Sequence, residues 1–310
     1  MKITPRIALV LTLVGTFFWG SNFQATKIAL TTVSPWTASF ERFLIAVIAI
    51  FLIMIFKEGL RWHVLSQNFI SYIFLGIIGV AGFNGALFVG LQTSNPITAS
   101  LIMATTPISA NIIEAIMNKS FPTCERVIGM LISMFGVYLV ITNGRFLSNH
   151  VSFAKGDIMI LLGSIGWAFY TVGTRSFVKN ATPLETTSWT MLSGTVALGV
   201  LTFLFESPLQ ETMSMSGASL FALLWIGVAG SVLAYLFWNI GIAIRGPGKT
   251  AIFFNFVPIS ALLVQILFGF IPQTMQIIGV FVTIFGVLIG QGYIFSLLGS
   301  RKAVPNAHKE

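Results

Sequence analysis

A chain of 310 residues that is 55% hydrophobic and only 8% charged, with a mean hydropathy of +0.91, carries more apolar surface than one water-soluble core can bury and reads as an all-α integral membrane protein. The net charge of +8 does not mark a nucleic-acid binder, because the cations fall in the breaks between apolar runs instead of forming a basic patch. The single cysteine, Cys124, excludes an intramolecular disulfide and a cysteine-based metal cluster.

The apolar runs are continuous rather than alternating, so the spanning elements are helices, the form in which lipid leaves no backbone group unsatisfied. In chain order the spans fall at residues 7–30, 36–56, 69–91, 97–117 and 125–142, then at 158–175, 184–205, 220–240, 250–270 and 275–295. The first follows Lys2 and Arg6 as a signal peptide would. Its apolar run is broken by Gly20, Ser21 and Asn22, however, and no small-residue cleavage site follows, so it reads as an uncleaved helix. With a cytoplasmic N-terminus and ten helices, thirteen of the seventeen Lys and Arg residues lie on the cytoplasmic side. Only Lys27, Arg145 and Lys155 lie opposite, and Arg42 sits inside a span. The positive-inside rule therefore predicts that both termini are cytoplasmic, including a polar tail at 296–310.

The segment from Gly90 to Ala110 recurs from Gly241 to Ala261: Gly90 matches Gly241, Pro96 matches Pro247, and Pro107 and Pro258 each open an identical Pro-Ile-Ser-Ala. Gly15, Trp19, Lys27 and Pro35 match Gly163, Trp167, Arg175 and Pro183 in the same way, and Gly129 and Gly136 match Gly279 and Gly286. The chain is thus two repeats of five helices, residues 7–144 and 155–295, and an odd helix number inverts the second repeat in the membrane. Inverted repeats supply two mirror-related states around a midplane site, the geometry of alternating access. Pro107 and Pro258 remove backbone donors inside helices four and nine, so kinks that act as hinges are expected at both.

Polar and aromatic side chains within the spans mark the site, since such groups in hydrocarbon need a partner or a wet cavity. They are Trp19 and Asn22 in helix one, Asn84 and Phe88 in helix three, Trp167 and Tyr170 in helix six, and Tyr235, Trp238 and Asn239 in helix eight. The repeat places Asn22 with Tyr170, Asn84 with Tyr235 and Phe88 with Asn239. These residues are expected to line a cavity for a small, partly apolar solute, with amides for its polar atoms and rings for its body. Lys27 with Glu41, and Arg175 with Glu185, are expected to pair as gates at opposite ends. Glu114 is the deepest lone carboxylate, a candidate for proton coupling or for a structural role beside Lys119.

Other chemistry finds little support. Gly246-Pro247-Gly248-Lys249-Thr250 ends like a phosphate-binding loop, but the first required glycine is Ala243 and a membrane helix stands where a strand is needed. His63, His150 and His308 are dispersed, and no carboxylates pair at metal-ligand spacing, so neither catalysis nor a metal or organic cofactor is expected. The partners implied are a small-molecule solute and membrane lipid, with no signal of oligomeric state.

The run from Phe18 to Phe23, Arg42 in the second helix, and the stretch from Ser94 to Ser100 leading to Pro107 resemble the EamA-type transporters of the drug/metabolite transporter superfamily over residues 7–291. The resemblance implies ten helices in a bacterial inner membrane and export of amino acids or similar small metabolites. Ser120 and Phe270 stand where such domains often carry a glutamate, so no role of that residue transfers. A membrane-embedded transferase and a passive small-solute channel remain the alternatives.

Overall fold

The computed structural model describes residues 3–94, 96–144 and 154–293. The tail at 296–310, Arg145 and His150 lie outside them. All regular structure among the described residues is helical. Nine helices there are long and apolar enough to cross a membrane: α1 (Pro5–Ala29), α2 (Pro35–Lys57), α3 (Trp62–Gly90), α4 (Thr98–Asn118), α5 (Cys124–Thr142), α6 (Lys155–Ser176), α7 (Pro183–Phe205), α8 (Gly217–Arg245) and α9 (Pro247–Leu267). A shorter apolar helix, α10 (Thr274–Gly290), has 17 residues, at the lower end of spanning length. A surface helix, Pro208–Ser214, joins α7 to α8.

Helix starts follow local chemistry. Proline opens α1, α2, α7 and α9, where its missing N–H costs nothing. Thr4 accepts the Ile7 N–H at 3.3 Å, and Thr182 with Glu185 forms a reciprocal capping box (3.1 and 2.9 Å). Helix α3 begins seven residues before its apolar run. The polar start is sheltered because Asn68 donates to the Lys179 carbonyl and accepts the Lys179 N–H, both at 2.8 Å.

Large apolar side chains such as Ile48, Leu52, Phe203, Phe281 and Phe285 are exposed on the outer faces, the inverse of a water-soluble protein and the surface that lipid requires. Buried hydroxyls return to their own helix instead: Thr12 to the Ala8 carbonyl (2.8 Å), Thr187 to Pro183 (2.7 Å) and Thr283 to Gly279 (2.8 Å).

Glycine sets the helix contacts. A Cβ on Gly129 would lie 2.3 Å from the Gly290 nitrogen, and one on Gly136 2.4 Å from the Thr283 nitrogen, so the backbones of α5 and α10 touch directly. Helix α3 crosses α6 through Gly90 against Gly156 and Ile160, and through Ala86 against Gly163. Helix α1 crosses α8 through Gly15 against Ala234, and through Thr12 against Gly241. In each pair the early residues of one helix meet the late residues of the other, so all three crossings are antiparallel.

Four helices depart from regular geometry at repeat-related places. Helices α3 and α8 widen into π-helical segments at Gly76–Gly82 and Ile226–Leu233. Helix α4 is interrupted at Thr105, two residues before Pro107, and α9 tightens into a 3₁₀ turn at Ile252–Asn255, just before Pro258. Both prolines therefore sit in the first turn of a new helical segment, where the absent N–H breaks no hydrogen bond.

Candidate functional site

A cavity of about 270 Å³ lies between α1, α2, α3, α4, α6, α8 and α9. Its aromatic wall is built by Trp19, Trp167 and Tyr235, with ring centroids 5.5 Å apart for Trp19–Trp167 and 5.2 Å for Trp167–Tyr235, both edge to face. Asn22, Asn84, Phe88, Lys27 and Arg42 also line it. Phe23, Lys27, Met103, Phe254 and Val257 are shared with a second cavity of about 320 Å³, which continues between the helices to Gln265 and Gln276 at the end of the bundle where α1 finishes. Lys27 is exposed at the common mouth.

The wide turn of α8 organises this wall. A π turn displaces carbonyls from the regular ladder, and here the Gly230 carbonyl accepts the Trp19 indole N–H at 3.0 Å. The next residue, Ser231, accepts from Arg42 Nε at 3.2 Å. A Cβ on Gly230 would lie 2.2 Å from the Asn22 amide. Gly79, its counterpart in the wide turn of α3, packs against Tyr170 in the same way at 2.3 Å, and Tyr170 is the repeat mate of Asn22. Both wide turns thus seat the central polar residue of the helix they face.

Sequence reasoning places Trp19, Asn22, Asn84, Phe88, Trp167 and Tyr235 on one cavity, and the structure brings them together there. Tyr170, Trp238 and Asn239 instead form the layer beneath. Asn239 donates to the Tyr170 hydroxyl and to Thr187, both at 2.9 Å, and Trp238 donates to Thr171 at 3.2 Å. Tyr170 and Trp238 are buried almost completely, so this layer is a floor under the cavity wall. Asn22 Oδ1 and Trp167 Nε1 are buried without a protein partner.

The expected gate pairs are not the ones formed. Glu185 is bound by Arg61, whose Nε donates at 2.8 Å, because Glu185 sits in the capping box of α7 and faces the α2–α3 connection. That bond pushes the Arg61 pKa further up. Arg175 donates instead to the Ile242 carbonyl at 2.9 Å, near the end of α8. Glu41 accepts from Thr212 of the surface helix, since α2 turns it toward that helix and away from α1. Glu114 pairs with Arg126 at 3.0 Å and not with Lys119, which takes a left-handed conformation (φ 50°) that ends α4. Arg42, noted in the sequence as a charge inside a span and as part of a motif, is a cavity residue that pattern reasoning did not place there. The available signal was its place as a charge within a span and outside the cationic clusters.

A bundle that is apolar outside, polar and aromatic at its centre, and crossed by an antiparallel set of glycine-packed helices has the architecture of a multi-pass membrane transporter. Residues 6–142 and 154–290 each match the EamA-like transporter family, and the chain belongs to that family. It is 37% identical over 278 residues to the uncharacterized transporter YyaM of Bacillus subtilis, covering 89% of this chain and 91% of that one. It is 21% identical over 291 residues to a "Probable terminal-alkyne amino-acid exporter" of Streptantibioticus cattleyicolor, covering 93% and 94%. A solved crystal structure superposes with a TM-score of 0.78 at 19% identity over 97% of this chain and 100% of the other, a likeness of fold.

Proposed function

We propose that the protein is a secondary carrier that exports amino acids or similar small metabolites across a bacterial inner membrane by alternating access. The observation that carries this reading is the central cavity, continuous with one end of the bundle and floored toward the other by a hydrogen-bonded aromatic layer. A channel needs a continuous polar path, which the buried layer of Tyr170 and Trp238 interrupts.

Ten spanning helices in two inverted repeats, residues 7–144 and 155–295, supply the two states. The antiparallel crossing of the repeat mates α5 and α10 supports the inversion, and the cation distribution supports cytoplasmic termini. The interruptions at Thr105 and at Ile252–Asn255 support hinges at Pro107 and Pro258. The exporter name of the distant relative supports an amino-acid-like cargo.

The test is counterflow in proteoliposomes with a panel of amino acids, metabolites and toxic cations. Saturable counterflow is expected, abolished by Asn84→Ala or Trp167→Ala in protein that still inserts. Unsaturable flux through the wild-type protein would overturn the carrier reading in favour of a channel.

A further inference from the structure

Arg42 is the one cation that lines the central cavity from within a span away from the mouth. Its guanidinium is held on two sides: Nε donates to Ser231, and the carbon of the group stands 4.6 Å over the Phe43 ring. Among the described residues no carboxylate pairs with it, and neither terminal nitrogen donates to a protein acceptor. Glu41, its chain neighbour, is turned away to Thr212. A fixed guanidinium with its paired terminal N–H groups free is the arrangement that receives a carboxylate through two parallel hydrogen bonds.

The surroundings have the same polarity. Lys27 stands at the mouth, and neither cavity is lined by an acidic residue. A low-dielectric cleft with charge of one sign draws in the opposite sign. Facing the cations, the wall is the apolar edge and face of Trp19, Trp167 and Phe88. The repeat shows that this is specific to one half. The mate of Arg42, at the offset relating Pro35 to Pro183, is Thr190, whose hydroxyl is occupied by Tyr170 at 3.3 Å and by the Thr186 carbonyl at 2.7 Å.

We propose that Arg42 is the anion anchor of the cavity, and that the solute is a carboxylate carried on an apolar or aromatic body. Where the solute also bears an ammonium, the unpartnered Asn22 Oδ1 and the tryptophan faces receive it. This rests on the carrier reading above and narrows it: free amines and toxic organic cations lack the recognised group.

The experiment measures equilibrium binding of three radiolabelled probes of one shape, 3-phenylpropionate, 3-phenylpropanamide and phenethylamine, to the purified full-length protein. The wild-type protein is expected to bind 3-phenylpropionate saturably, with competition by L-phenylalanine and with phenethylamine weaker by about tenfold or more, the scale of one charge-assisted hydrogen-bonding group. Arg42→Gln lowers 3-phenylpropionate affinity by a similar factor of about ten and leaves 3-phenylpropanamide unchanged, while Arg42→Lys restores part of the loss. Phenethylamine binding as tightly as 3-phenylpropionate, absence of binding by 3-phenylpropionate, or an Arg42→Gln protein with unaltered preference each overturns the anchor. The wild-type probe comparison decides the matter even where Arg42→Gln fails to fold. Counterflow with the same protein separates the two readings. Transport of amines without carboxylates removes the anchor and leaves a carrier, whereas intact carboxylate binding without counterflow of any solute removes the carrier and leaves the anchor.

Discussion

The two ends of the bundle carry repeat-related residues of different chemistry. At the end where α1 begins, Glu114 pairs with Arg126, Arg126 also donates to Asn111 at 3.2 Å, and Arg175 holds the end of α8. At the other end the mates are Gln265, Gln276 and Lys27, at the offsets relating Pro107 to Pro258, Gly129 to Gly279 and Lys27 to Arg175. These three line the 320 Å³ cavity, and Gln276 accepts the Gln273 N–H at 3.0 Å and donates to the Val140 carbonyl at 3.3 Å. One backbone plan thus carries an ion pair at the end that the buried Tyr170 and Trp238 layer separates from the central cavity, and neutral amides at the end that the cavity reaches. On the carrier reading proposed above, the lesson is that side-chain charge at the ends sets which of the two states is populated at rest.

The comparison is broken most strongly by Arg126→Ala. It leaves Glu114 uncompensated in a place where both side chains are mostly covered (19% and 16% exposed), at a cost of roughly 2–4 kcal/mol. The expected outcome is opening of the Glu114 end, read as reagent access to a cavity cysteine (Met103→Cys with Cys124→Ser) from the side where wild-type protein is protected. Unchanged access would show that charge does not hold that end. Transplanting the pair, as Gln265→Glu with Gln276→Arg, is expected to shut the open end with a bias of about 1–2 kcal/mol, seen as loss of labelling from the Lys27 side. Arg61→Ala serves as the control. Its ion pair with Glu185 is 37% exposed on the arginine side and 2% on the glutamate side, so its loss leaves a buried carboxylate held by the Thr182 N–H, and a fall in melting temperature with no change in labelling is expected. Lys27→Gln has the least effect on the fold, since no ion pair is lost. Its expected signature is slower uptake of anionic solute, and that difference from wild type fades in high salt.

The helices and the cavity wall were legible in the sequence because burial in lipid writes itself as continuous apolar runs, and the polar exceptions within them (Trp19, Asn22, Asn84, Trp167, Tyr235) stand out. The ion pairs were not legible. Arg61 reaches Glu185 across 124 residues of chain, and helix rotation, which repeats do not encode, turns Glu41 toward Thr212. The wide turns left only a faint trace, the matched glycines Gly76 with Gly227 and Gly79 with Gly230, since a glycine-rich apolar run reads alike whether its turns are α or π. Tyr170, Trp238 and Asn239 were expected on the cavity surface, yet their hydrogen bonds, Asn239 to Tyr170 and Thr187 and Trp238 to Thr171, hold them below it.

The wide turn of α8 bears on how the chain tolerates insertion and deletion. A π segment accommodates an extra residue while the regular helix on either side keeps its facing. Loss of one residue between Ile226 and Leu233 lets the segment tighten to an ordinary turn, with Tyr235 and Asn239 still directed inward. What disappears is the displaced carbonyl of Gly230 that orients Trp19, and with it the alignment of Ser231 under Arg42. The count of residues in this stretch, as much as their identity, therefore sets the geometry of the cavity wall, and a single-codon deletion there is expected to misplace Trp19 and Arg42 while leaving a protein that still inserts.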